Sequence, residues 1–303
     1  MRLHVKLNFK FSYAIGVRHA VANLMLERKI MKQKLFVLFL IAFTISSCNI
    51  PSSITSTPQF ETPVIVPTNT ISTGGVVTFQ NVSVTLPLGV AQDAQTEVVS
   101  AITDPNNSPW WQIAPEHFKF TLTGYQLQNK FLEPQIFVYP ADEYAKLNSN
   151  AAEQIAKVKA VISNGPLTKE TVPNWVMNAG QLISAKMQVV EFQSGRGVRF
   201  LTEYAQYPAP INNRELFYLF QGLTDDGKYY IVATLPVTSS ILPEDEKPES
   251  PVPPGGVALP SGTLPDQAYY DAVTKALDGM YEDSFNPSLF QLDALVQSIT
   301  VTP

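Results

Sequence analysis

Residues 187–205, MQVVEFQSGRGVRFLTEYA, and residues 216–234, LFYLFQGLTDDGKYYIVAT, decide the fold. In the first stretch Val198, Phe200, Thr202 and Tyr204 alternate with Arg199, Leu201, Glu203 and Ala205. That is the period of two a pleated strand imposes, since successive side chains point to opposite faces. Met187-Gln188-Val189-Val190-Glu191-Phe192 precedes this run, and Ser194-Gly195-Arg196-Gly197 reads as the turn between the two strands. In the second stretch Leu216-Phe217-Tyr218-Leu219-Phe220 leads to Thr224-Asp225-Asp226-Gly227, and Tyr229-Tyr230-Ile231-Val232-Ala233-Thr234 runs back. Asp226-Gly227 is a strong hairpin signal, because a tight turn needs positive φ and glycine adopts it without steric cost. Four strands with short turns make an antiparallel meander.

Toward the N-terminus, residues 76–79 and 82–86 are β-branched runs around a polar Gln80-Asn81 step and read as a hairpin. Residues 87–115 carry Pro87, Pro105, Pro109 and Pro115 and read mostly as loop. Phe118, Phe120 and Leu122 alternate with polar neighbours, and residues 135–139 form another short strand. Helices are expected over residues 142–147 and 151–162, the second with Ile155, Val158, Val161 and Ile162 on one face and Asn150 as its N-cap. Toward the C-terminus, residues 238–265 hold seven prolines and the run Glu244-Asp245-Glu246, and read as a solvated loop. A helix then follows Pro265 with Tyr269, Val273, Ala276, Leu277 and Met280 on one face. A second helix is capped by Asn286, with Pro287 at its first position and Leu289, Leu292, Leu295 and Val296 inward; residues 298–302 look like a last strand. The fold class is therefore α+β: an antiparallel β-sheet meander with packed helices, one domain over residues 75–303. The order of elements, with the ending Leu292-Asp293-Ala294-Leu295-Val296-Gln297-Ser298-Ile299, resembles the PsbP-like fold of photosystem extrinsic proteins. That resemblance implies a binding or assembly module.

Charge separates the two ends of the chain. Residues 1–48 hold eight Lys or Arg and one acid, a balance of +7, so the rest of the chain stands at −12 out of the overall −5. A body so acidic is repelled by nucleic acid and by anionic headgroups, which excludes DNA and RNA as partners. Residues 31–47 have the parts of a signal peptide: Lys32 and Lys34, then an apolar run of 11 residues at 35–45, too short to span a bilayer. Ile45-Ser46-Ser47-Cys48 resembles the lipobox of bacterial lipoproteins. The resemblance implies diacylglycerol and palmitate on the Cys48 thiol, cleavage before it, and a protein held on the outer side of the cell membrane by its lipid. Residues 1–30 are read as a mis-assigned start or an extended basic region, with Met31 as the expected start and Met25 or Met1 as alternatives. Residues 48–74 are the lipid attachment point and a linker; 14 of the 26 residues after Cys48 are Ser, Thr or Pro, too polar to offset the entropy of ordering.

Chemistry is sparse in the sequence. Cys48 is the only cysteine, so no disulfide forms within the chain, and His117 is the only histidine after the leader. Zinc and iron sites draw on two or more His or Cys ligands, so neither a metal nor a cofactor is expected. Asp225-Asp226-Gly227 lacks calcium-loop spacing, Gly195-Arg196-Gly197 lacks a phosphate-loop pattern, and there is no Gly-x-Ser-x-Gly. The residues most suited to meeting a ligand are Trp110, Trp111 and Trp175, whose faces can stack, and Arg199 with Glu203, four apart on one strand face. No catalytic residue is assigned. The sequence favours a non-catalytic module that binds an unknown protein or small ligand over the alternative, a lipid-anchored hydrolase working through two carboxylates.

Overall fold

The structure, a computed structural model, describes residues 74–302 apart from 248, 260 and 261. The leader, Cys48 and the linker up to residue 73 lie outside the described residues. The meander expected from the opening stretches is present as β7 (Ala185–Phe192), β8 (Gly195–Thr202), β10 (Phe217–Thr224) and β11 (Tyr229–Pro236), each antiparallel to the next. Two-residue strands β6 (Gly180–Gln181) and β9 (Tyr204–Ala205) pair beside it.

A second meander precedes it: β3 (Asp93–Val99), β4 (His117–Thr123) and β5 (Gln135–Pro140). Strand β5 pairs with β11, and the two meanders fuse into one seven-stranded antiparallel sheet, ordered β3-β4-β5-β11-β10-β8-β7. Strand β3 corrects the expectation of loop over residues 87–115. It is an edge strand, mostly half-buried or exposed, so it carries no hydrophobic alternation for periodicity to detect.

Both faces of the sheet are covered. Every residue of β10 is buried, which explains its nearly unbroken apolar run. Its Phe217 and Leu219 face a cluster under helices α1 (Ala141–Leu147) and α2 (Ser149–Ile162). Its Tyr218 and Phe220 face the larger cluster under α3 (Gln267–Asp278) and α4 (Leu289–Gln297). That second face also takes the small sheet of β1 (Val76–Phe79), β2 (Val82–Thr85) and β14 (Thr300–Val301), so the first and last strands of the domain meet through β2 and β14. Buried Leu289, Leu292, Leu295 and Val296 hold α4 down, each contributing about 1.5–3 kcal/mol relative to exposure.

Three local expectations need correction. Asn148, not Asn150, caps α2: its Oδ1 accepts from the backbone N–H of Asn150 and Ala151 at 3.0 and 3.2 Å. Ser288, not Asn286, caps α4 in a capping box with Gln291, while Asn286 pairs with Thr238 in the two-residue strands β12 (Thr238–Ser239) and β13 (Phe285–Asn286). Gly195 and Gly197 lie in β8 rather than in the turn. Gly197 faces Gly222 across the β8–β10 ladder, and the Phe220 ring lies over both: a Cβ on either would fall 2.5 or 2.6 Å from the ring's Cζ. The glycines make room for an aromatic ring, which in turn packs edge-on against Phe192 at 5.8 Å.

Candidate functional site

The two residues read as a clamp do not meet. Arg199 is 1 % exposed, and its guanidinium reaches α4, with Nε 3.3 Å from Asp293 Oδ1 and Nη2 donating to Gln188 Oε1 at 2.7 Å. Nη1 donates to the Lys186 carbonyl, and the Tyr218 hydroxyl donates to Asp293 at 2.8 Å. Burial holds the Asp293 carboxyl above the usual carboxylate range, with the Arg199 charge pulling the other way. Glu203 lies beyond the end of β8, 0 % exposed, accepting from the Asn212 backbone N–H at 2.9 Å and the Asn212 amide at 3.4 Å. Both side chains are sealed inside the domain, where they fasten the sheet to α4 and to the 206–216 loop.

Burial lifts the Glu203 carboxyl well above its ordinary range, and the nearby Glu215 and Glu246 charges add to the effect. Its folded pKa is therefore raised above the unfolded value near 4.5. The folded state binds the proton more tightly, so this contribution to stability is complete below pH 4.5 or so and is lost as pH rises through the folded pKa. Glu203→Gln mimics the protonated form. Its stability relative to the wild type is expected to increase as pH rises from about 4.5 toward 8, and urea melts at several pH values would read this. A difference that stays flat across that range would sink the assignment.

The tryptophans occupy separate places. Trp110 and Trp111 meet edge-to-face at 5.7 Å in a single 3-10 turn, and Trp110 is 44 % exposed. The Asn148 amide donates to the carbonyls of Trp110 and Ile113, tying this turn to the start of α2. Trp175 instead packs edge-on against Phe217 at 6.0 Å, and its backbone N–H donates to the Tyr204 hydroxyl at 2.8 Å. Among the described residues no ring contact joins Trp175 to the pair. His117 is buried, its Nδ1 is 2.8 Å from the Pro115 carbonyl, its ring lies 4.4 Å from that of Tyr139, and desolvation lowers its pKa. Among the described residues no three His, Cys, Asp or Glu side chains are grouped to hold a metal ion.

Open polar groups converge at one place that sequence reading missed. Three loops, from residues 124–134, 206–216 and 237–250, enclose a cleft of about 380 Å³ lined by Asn129, Lys130, Arg214, Glu244 and Asp245. Buried Asn213 knits two of them: its amide donates to the carbonyls of Ser239 and Leu242, and its Oδ1 accepts from the Ser239 N–H at 2.8 Å. Asn212 Oδ1 accepts from the N–H groups of Arg214 and Glu215, fixing the turn that presents Arg214. The Phe131 N–H donates to the Arg214 carbonyl at 2.9 Å and attaches the third loop. The rim is thus held by hydrogen bonds to side chains that never reach the cleft.

Charges in the cleft are unequally engaged. Asp245 accepts from Lys247 Nζ at 2.5 Å and from the Ser250 hydroxyl, and those bonds lower its pKa to about 2. The Lys130 side chain is 9 % exposed, pairs with Glu244 at 3.6 Å, and makes no hydrogen bond through Nζ among the described residues. The Glu244 side chain is 79 % exposed. The Arg214 guanidinium makes no ion pair or hydrogen bond among the described residues. The signal in the sequence was weak, because Glu244-Asp245-Glu246 read as a solvated run and nothing in the local sequence singles out Lys130 or Arg214.

No family model matches the sequence, and no curated protein or solved structure is significantly similar to it.

Proposed function

We propose that the protein is a lipid-anchored, extracytoplasmic binding module, attached to the outer side of the cell membrane through Cys48. The observation that carries this is the 31–48 segment: two lysines, an 11-residue apolar run and Ile45-Ser46-Ser47-Cys48. A diacylated cysteine brings two acyl chains, the number needed for stable attachment. The described domain begins at Gly74, so the Ser/Thr/Pro-rich segment between would serve as the tether. Binding is favoured as the role because Arg199, Glu203 and His117 are engaged inside the domain, while free polar groups gather in one cleft held by Asn212 and Asn213.

One observation supports the hydrolase reading. Beside the same cleft, burial and the Glu246 charge raise the pKa of Glu215, while Asp245 is held low, and carboxylates that titrate apart suit acid and base roles. The anchor is tested by intact mass and detergent partition of the native protein from membranes. The expected species begins at Cys48, carries acyl chains and enters the detergent phase. An unmodified protein in the aqueous phase, beginning elsewhere, would overturn the anchor.

A further inference from the structure

We infer that the cleft of Asn129, Lys130, Arg214, Glu244 and Asp245 takes a small zwitterion, an α-amino acid or short peptide, with its carboxylate on Lys130 and Arg214 and its ammonium on Glu244. This deepens the binding reading above and rests on it. Lys130 lies at the base of the assignment. Its stem is nine-tenths buried, while Nζ still reaches solvent at the cleft, where its three donors are open to a ligand's acceptors. Among the described residues Nζ has no acceptor within hydrogen-bond distance, and its only ion-pair partner is an exposed carboxylate 3.6 Å away. Arg214, exposed at the same cleft beside Glu215, makes no side-chain hydrogen bond or close ion pair among the described residues, and a guanidinium matches a carboxylate with two parallel N–H donors. A ligand carboxylate thus supplies the acceptors both cations lack.

Glu244 then decides the class. A carboxylate settling on Lys130 takes over the charge that Glu244 neutralises and leaves Glu244 without its partner. A plain anion would face that charge as repulsion, whereas an ammonium on the same ligand answers it. Asp245 does not alter the balance, because Lys247 already matches it. At about 380 Å³ the cleft lies at the lower end of the range for small-ligand pockets, roughly 300–1,000 Å³.

The experiment is calorimetric titration of the full chain, purified from membranes in detergent, with L-alanine, L-alanyl-L-alanine, succinate and inorganic phosphate. Saturable binding of either zwitterion, at least about tenfold tighter than succinate or phosphate, is expected. Arg214→Ala and Lys130→Met should each weaken it about tenfold or more with an unchanged melting temperature. Glu244→Gln should weaken the zwitterions and strengthen succinate, a reversal that a structural role for Glu244 would not produce. Equal binding of succinate or phosphate would reduce the site to a general anion cleft and overturn the assignment, as would no binding of any of the four. A protein whose mass confirms the anchored Cys48 but which binds none of them sinks the cleft alone; one that binds alanine without the lipid sinks the anchor alone.

Discussion

Asp293→Ala is expected to lower the stability of the domain by about 3–5 kcal/mol, the range for removing one partner of a buried ion pair. The reason is asymmetric. Arg199 is fully buried and cannot shed its proton, so the alanine leaves its charge to Glu282 and to the neutral acceptors of Lys186 and Gln188, and leaves the Tyr218 hydroxyl without its acceptor. Arg199→Met should cost less, because Asp293 is already biased by burial toward its neutral form and can take up a proton. The double variant Arg199→Met with Asp293→Leu should recover most of the loss, since an apolar replacement of a buried pair is often neutral. Urea unfolding reads all three as shifts in midpoint at constant slope. A loss below about 1 kcal/mol for Asp293→Ala would mean that Arg199 finds water.

Gly197→Val should cost about 3 kcal/mol, the upper end for overpacking. A Cβ there falls 2.5 Å from the Gln221 carbonyl oxygen and 2.6 Å from the Gly222 Cα, so backbone as well as the Phe220 ring must shift. Val is a strong strand former, so a preference for β structure alone predicts stabilisation. The sign of the change therefore separates propensity from packing, and a thermal melt decides it. The companion Gly197→Val with Phe220→Leu should be less destabilising than the sum of the two single changes, because the shorter side chain vacates part of the same space.

These two cases also show what was legible in the sequence. The four strands of the central meander were legible because β8, β10 and β11 carry apolar side chains that the covered sheet demands, and because Asp226-Gly227 marks its turn, although the start of β8 at Gly195 was not. The pairing of β5 with β11 was not legible: nothing local in Gln135–Pro140 names a partner some 90 residues later. Strand β3 was missed because one unpaired edge and exposed faces leave its composition unconstrained. Arg199 was singled out because Glu203 stands four residues on along the same strand run, whereas its partner in the structure is Asp293 on α4. The cleft was invisible for the same reason. Its residues come from three loops, brought together by the buried Asn212 and Asn213, ordinary turn formers in the sequence, and by the backbone bond from Phe131 to Arg214.

The meeting of β2 with β14 sets an order on how the chain acquires its shape. Val82 and Ser83 find their outer partners in Thr300 and Val301, and Asn81 reaches the Thr302 carbonyl, so the outer edge of the opening hairpin stays unpaired until residues 300–302 are made. Such distant pairings close late. Residues 300–302 therefore act as a latch on the small sheet, closing the outer edge of β2 after the strands before it have been made.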